Sequence, residues 1–220
     1  VSAVMVVWIR IPHHPQEAAG SVLSTVRRDL GDGWRFIRRQ RPVFLSAMLV
    51  LALFNLVLSA ALIVGIPVAV VQVLNMSDSR LGITHGAMGQ CGLFGGGLTA
   101  FLGARLRLRQ GGLVLLAASL TAAVMGLALL PGVSPSAGWW VVTAMSFAVM
   151  VLSTMLVVVL SAAVQGQTPP DLLGKVMAFI MAVSNCAAPV GQAVYGALFE
   201  RCPAWAVLLG AAGAAALAAV

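Results

Sequence analysis

The sequence predicts an all-α protein, a bundle of membrane-spanning helices, and three observations carry that prediction. Hydrophobic residues make up 60% of the 220-residue chain and charged residues only 9%, against about 45–50% and about 25% in soluble domains. The charges are clustered, so uncharged runs of 36 (Pro42–Ser77), 24 (Leu81–Ala104), 61 (Gln110–Pro170), 24 (Val176–Phe199) and 19 residues (Cys202–Val220) separate them. About 20 apolar residues in a helix cross the roughly 30 Å hydrocarbon core. Lastly, no segment alternates polar and apolar residues with period two, which excludes a membrane β-barrel.

Taken in order, residues 1–10 read as the end of a preceding span. The apolar stub Val1–Ile9 is followed by Arg10 and Pro12, whereas a signal peptide carries its positive charge before the apolar stretch. The chain is accordingly expected to be part of a longer protein. Residues 11–42 form a polar linker. Within it Val26, Leu30, Trp34 and Ile37 recur at helical spacing among arginines, which predicts an amphipathic helix lying on the inner membrane surface. Residues 43–220 hold six spans, about Val43–Leu74, Leu81–Ala104, Gly111–Leu130, Trp139–Val164, Val176–Phe199 and Pro203–Val220. The cluster Pro131–Gly138 divides the 61-residue run, because Pro and Gly break helices. Trp139, Trp140 and Trp205 stand at span ends, where amphipathic rings prefer to sit.

Orientation follows from the basic residues. With the linker on one side, that side holds eleven of the 13 Lys and Arg residues, including Arg105, Arg107, Arg109 and Lys175, and the other side holds only Arg80 and Arg201. The positive-inside rule makes the linker side cytoplasmic and the protein integral to the plasma (inner) membrane. The net charge of +7 is then a matter of topology and of attraction to membrane lipids, and needs no nucleic-acid partner.

None of the six spans contains Asp, Glu, Lys or Arg. Such residues would mark ion pathways or proton relays. No phosphate loop, HExxH or GxSxG motif occurs either, so no enzyme and no cofactor is expected. Cys91, Cys186 and Cys202 offer neither a disulfide framework nor a CxxC pair, and His13 and His14 have no third ligand, so no metal site is expected.

What remains is uncharged polarity at regular spacing. The fourth span steps through Thr143, Ser146, Met150, Ser153, Val157, Ser161 and Gln165 along one helical face, the first carries Asn55 and Ser59, and the fifth carries Asn185 and Gln192. Asn55, Ser153 and Asn185 lie about 15–20 Å into their spans, near the bilayer midplane. These groups either bond neighbouring helices or share a polar pocket. The second span has a small-residue stripe through Gly95 and a second through Gly96, and the fifth carries Gly191. Such stripes let helices approach closely or slide. Pro67 and Pro189 interrupt the first and fifth spans, which suits a kink or hinge.

Three segments carry a resemblance to a known family. Arg28–Ile37 followed by Arg41-Pro42, the loop Gln165–Met177 with its Thr-Pro-Pro-Asp core, and Ala188-Pro189-Val190-Gly191 with Gly196 resemble the C-terminal half of a major facilitator superfamily transporter, in the branch of enterobactin and macrolide exporters. The resemblance implies a twelve-helix protein of two six-helix halves, each of two inverted three-helix repeats. It also implies alternating access around a cavity lined by the first and fourth spans of this half, with the N-terminal six-helix half of the same chain as partner. Two departures stand out. Lys175 replaces the usual Arg, and the loop Gly103–Arg109 keeps the basic residues without the family's Asp, so that family's charge relay is not transferred.

The sequence thus leads to an exporter of small lipophilic, drug-like or siderophore-like compounds working by alternating access, with proton antiport as the expected coupling and its acid in the other half. Asn55, Ser59, Ser146, Met150, Ser153, Asn185 and Gln192 are the expected substrate contacts, Pro67, Gly95, Gly96, Pro189 and Gly191 the hinge or packing positions. The alternative is a membrane scaffold or receptor that keeps the fold without transporting.

Overall fold

A computed structural model describes residues 30–38, 43–102 and 111–219, and all its regular structure is helical among them. Helix α1 covers 30–38. Helix α2 follows as an unbroken rod built of α-helical Val43–Leu53, a π-helical turn Phe54–Ser59, α-helical Ala60–Pro67 and a second π-helical turn Val68–Val73. The others are α3 (Asp78–Gly89), α4 (Cys91–Leu102), α5 (Gly111–Leu127), α6 (Pro135–Gln167), α7 (Pro170–Arg201) and α8 (Ala204–Ala219). The expected stub at 1–10, most of the 11–42 linker and Arg105, Arg107 and Arg109 lie outside the described residues.

Three helices, Phe44–Val73, Pro135–Gln167 and Pro170–Arg201, are long and apolar enough to cross a membrane. Two of them start earlier than expected. Helix α6 begins at Pro135 rather than Trp139, because Ser134 caps it: its hydroxyl accepts the Ala137 N–H at 3.3 Å, and a proline at the first helical position forfeits no hydrogen bond. Helix α7 likewise starts at Pro170, so Lys175 sits inside its second turn rather than in a loop.

The expected second span is not one helix. It breaks at Gln90, whose N–H reaches the Ala87 carbonyl three residues back at 3.1 Å, while its own carbonyl receives Leu93 and Phe94. Gly82, Gly86 and Gly89 weaken helix formation just before the break. At 12 residues each, α3 and α4 extend only about 18 Å apiece. Helix α2 ends on Asn75 at a φ of 51°, the left-handed conformation common just past a helix terminus.

Helix α5 lies along α8 and α6, α4 lies along α6, and α2 packs on α7 and α8. The main core joins Phe54, Leu58 and Leu62 of α2, Leu115 and Met125 of α5, Val142 and Val149 of α6, and Leu208 of α8. A second cluster brings Phe36 and Ile37 of α1 against Phe44, Met48, Val164, Val176 and Ile180. Large apolar side chains also stand on the outward face: Leu93, Phe101, Leu120 and Leu217 are all at least two-thirds exposed. Water tolerates little contiguous surface of that kind, whereas lipid accepts it.

The amphipathic helix differs from expectation in its contacts. Its buried face is Gly33, Phe36 and Ile37, set against protein, while Trp34 is 38% exposed. The expected stripe through Leu30, Trp34 and Ile37 missed Phe36, which follows Arg35 and so escapes a strict four-residue step.

Candidate functional site

The hydroxyls of the spans fall into two groups. In the first, each has a protein partner. Ser146 is fully buried and donates to the Met125 sulfur at 3.4 Å, so it serves the α5–α6 contact. Thr154 donates to the Met150 carbonyl at 3.0 Å and approaches Cys91 Sγ at 3.8 Å. Ser119, Thr121 and Thr99 bond back to carbonyls of their own helices. At one end of the bundle Thr84 ties α3 to α6. Its Oγ1 lies 2.9 Å from that of Thr143, accepts the Trp139 indole N–H at 3.1 Å, and sits above the Arg80 carbonyl at 3.1 Å. The Arg80 guanidinium stands 4.9 Å from the centroid of the Trp139 ring, a cation–π contact.

In the second group the side chains are uncommitted. Asn55, Ser59, Ser153 and Gln192 are half-buried, Asn185 is exposed, and none of the five makes a hydrogen bond with another described residue. Buried polar groups are nearly always paired, so polar groups that face open space and lack partners are available to a ligand or to water. Met150 is half-buried beside Ser153 and can add adaptable apolar contact.

The elements that present these groups are distorted. Asn55 and Ser59 are the second and last residues of the first π-helical turn, where the Ala60 N–H reaches the Asn55 carbonyl five residues back. Single π turns recur at functional sites because they displace side chains from the regular helical stagger. The second π turn begins immediately after Pro67, which has no N–H for the Ile63 carbonyl. In α7, Pro189 similarly leaves the Asn185 carbonyl without its usual partner. One residue earlier, Ser184 is fully buried and its hydroxyl has no partner, the sole such side-chain atom among the described residues.

Helices α2 and α7 meet at Gly191, where a Cβ would collide with the Leu56 carbonyl oxygen and lie 2.6 Å from the Ala60 Cβ. Helices α4 and α6 meet at Gly95, where a Cβ would lie 2.7 Å from the Thr154 Cβ and 3.0 Å from the Val151 carbonyl oxygen. Gly96, by contrast, has open space around it. These contacts put Gln192 beside the π turn carrying Asn55, and Ser153 beside the α4–α6 contact. Sequence reasoning missed Ser184, the π turns and the Thr84–Trp139 pair. Pro67 and Pro189 were the signals for distortion, and neither marked the first π turn.

At the inner end by the expected orientation, Lys175 Nζ is 3.2 Å from Asp32 Oδ2, and Arg35 Nη1 is 3.8 Å from Asp32 Oδ1. No group of three or more His, Cys, Asp or Glu able to hold a metal occurs among the described residues.

Comparison with the curated proteins and with the solved structures returns no significant match. The family model of the Major Facilitator Superfamily matches residues 1–192. With a matching family model over most of its length, several apolar helices and lipid-type outer faces, the chain belongs to the Major Facilitator Superfamily and is an integral membrane protein of the transporter class.

Proposed function

We propose that the chain forms the C-terminal six-helix half of a proton-coupled exporter, resembling the enterobactin and macrolide branch, that carries small lipophilic drug-like or siderophore-like compounds. The observation that carries this reading is the set of polar side chains without a hydrogen-bond partner among the described residues, Asn55, Ser59, Ser153, Asn185 and Gln192, on the three long helices α2, α6 and α7. Uncharged amides and hydroxyls beside Met150 suit ligands that are largely apolar and hydrogen-bond at a few points.

Packing supports two inverted repeats within this half. Taking α3 and α4 together as one broken span gives six spans. Exchanging the first three with the last three turns the α2–α7 contact into α6–α4, turns α5–α6 into α8–α2, and leaves α5–α8 unchanged, and all of these contacts occur. Gly191 lies 96 positions after Gly95, and Val151 lies 95 after Leu56, so the two glycine contacts occupy matching places. The N-terminal six-helix half of the same protein, the membrane lipids and the substrate are its partners, with the basic linker on the cytoplasmic side of the plasma membrane. The coupling acid belongs to the other half, because the spans here have none.

The test is accumulation of a panel of fluorescent drugs in cells with and without the full-length protein. Export lowers accumulation, and a protonophore restores it. Asn55→Ala and Gln192→Ala should reduce export several-fold, whereas Ser146→Ala should leave it near the parent value. Equal accumulation across the panel would favour a scaffold, and export indifferent to protonophore would remove proton coupling.

A further inference from the structure

Helix α1 is tied to the bundle by four kinds of contact. Its backbone touches α7, since a Cβ on Gly33 would lie 2.9 Å from the Lys175 carbonyl oxygen. Trp34 stacks near Phe179 with ring centroids 5.7 Å apart. Phe36 and Ile37 are buried among Phe44 and Met48 of α2, Val164 of α6, and Val176 and Ile180 of α7. Asp32, finally, pairs with Lys175 at 3.2 Å across 143 residues of sequence, with both side chains under one-third exposed.

We propose that α1 is a strap across one end of α2, α6 and α7, and that Asp32–Lys175 is its latch, holding those three ends packed together. The strap joins the helices that carry the uncommitted polar residues, so the proposal deepens the transport reading: opening at this end requires the pair to part. The apolar contacts give the strap its seat, and the ion pair makes its release adjustable. An ion pair this exposed biases a two-state equilibrium modestly rather than locking it.

The experiment uses the full-length protein in inside-out vesicles, with its native cysteines replaced and Ile180→Cys as reporter. The probe is a water-soluble maleimide. Asp32→Asn and Lys175→Gln should each raise the initial labelling rate about two- to fivefold, the range expected from loss of a partly exposed pair. The charge-keeping variants Asp32→Glu and Lys175→Arg should label near the parent rate. An oxidised Asp32→Cys/Lys175→Cys cross-link, made in the same reporter background, should slow labelling. Neutral variants labelling at the parent rate, charge-keeping variants labelling as fast as neutral ones, or failure of the cysteine pair to cross-link would overturn the latch. Since labelling needs no substrate, such a failure is distinguishable from failure of the exporter reading.

Discussion

Gly191 faces the Leu56 carbonyl so closely that no side chain fits between α7 and α2. Gly95 stands in the same relation to Thr154 and Val151 of α6. Gly191→Ala should destabilise the protein by about 1–3 kcal/mol, since a methyl forced against backbone must push two helices apart. Gly95→Ala should do likewise, while Gly96→Ala and Gly196→Ala, with open space around them, should be neutral or slightly stabilising. Thermal unfolding in detergent, with all four variants compared, checks this.

Trp139, Thr84 and Arg80 join α3 to α6 through a buried hydrogen bond and a cation–π contact. Trp139→Phe keeps the ring and removes the N–H, so it should cost about 1 kcal/mol, and Thr84→Val should cost a similar amount. Because both substitutions break the same bond, their effects should fall short of additivity by about 0.5 kcal/mol or more in a double-mutant cycle. Strict additivity would mean that the indole makes no bond to Thr84.

Ser184 is an exception to the rule that buried hydroxyls are paired. An unsatisfied buried hydroxyl costs about 1–3 kcal/mol, so Ser184→Ala should raise the unfolding midpoint. A drop in stability would show that the hydroxyl has a partner, such as a bound water.

The turn before α6 and the end of α6 should lie on opposite sides of the membrane. The helix has 33 residues, or about 50 Å of rise, enough to cross a bilayer with its headgroups. Val133→Cys should react with an impermeant maleimide from outside intact cells, and Gln167→Cys only after the inner face is exposed. Reaction of both from one side would refute the topology.

Long uncharged runs made the three long helices legible, because lipid imposes one demand along the whole length of a helix. Helix ends were less so. The Ser134-Pro135 capping pair and Pro170 extended α6 and α7 beyond the apolar windows, since a helix can project past the hydrocarbon on polar residues. The break at Gln90 was hidden because the uncharged run Leu81–Ala104 passes straight through it, with no proline to mark an end. The first π turn left no trace at all: Phe54–Ser59 contains no proline or glycine, and its register is set by what α2 packs against. Ser146 and Ser153 look alike on a helical wheel, yet one bonds Met125 and the other bonds nothing described, a difference decided by neighbours distant in sequence.

The absence of Asp, Glu, Lys and Arg along the middle of these spans has an electrical consequence. One elementary charge carried across 100 mV is worth about 2.3 kcal/mol. Neutral helix centres carry none when they tilt, so their rocking is blind to the resting potential. Any voltage sensitivity of the cycle must then come from the cargo, the coupling ion or charges outside these segments.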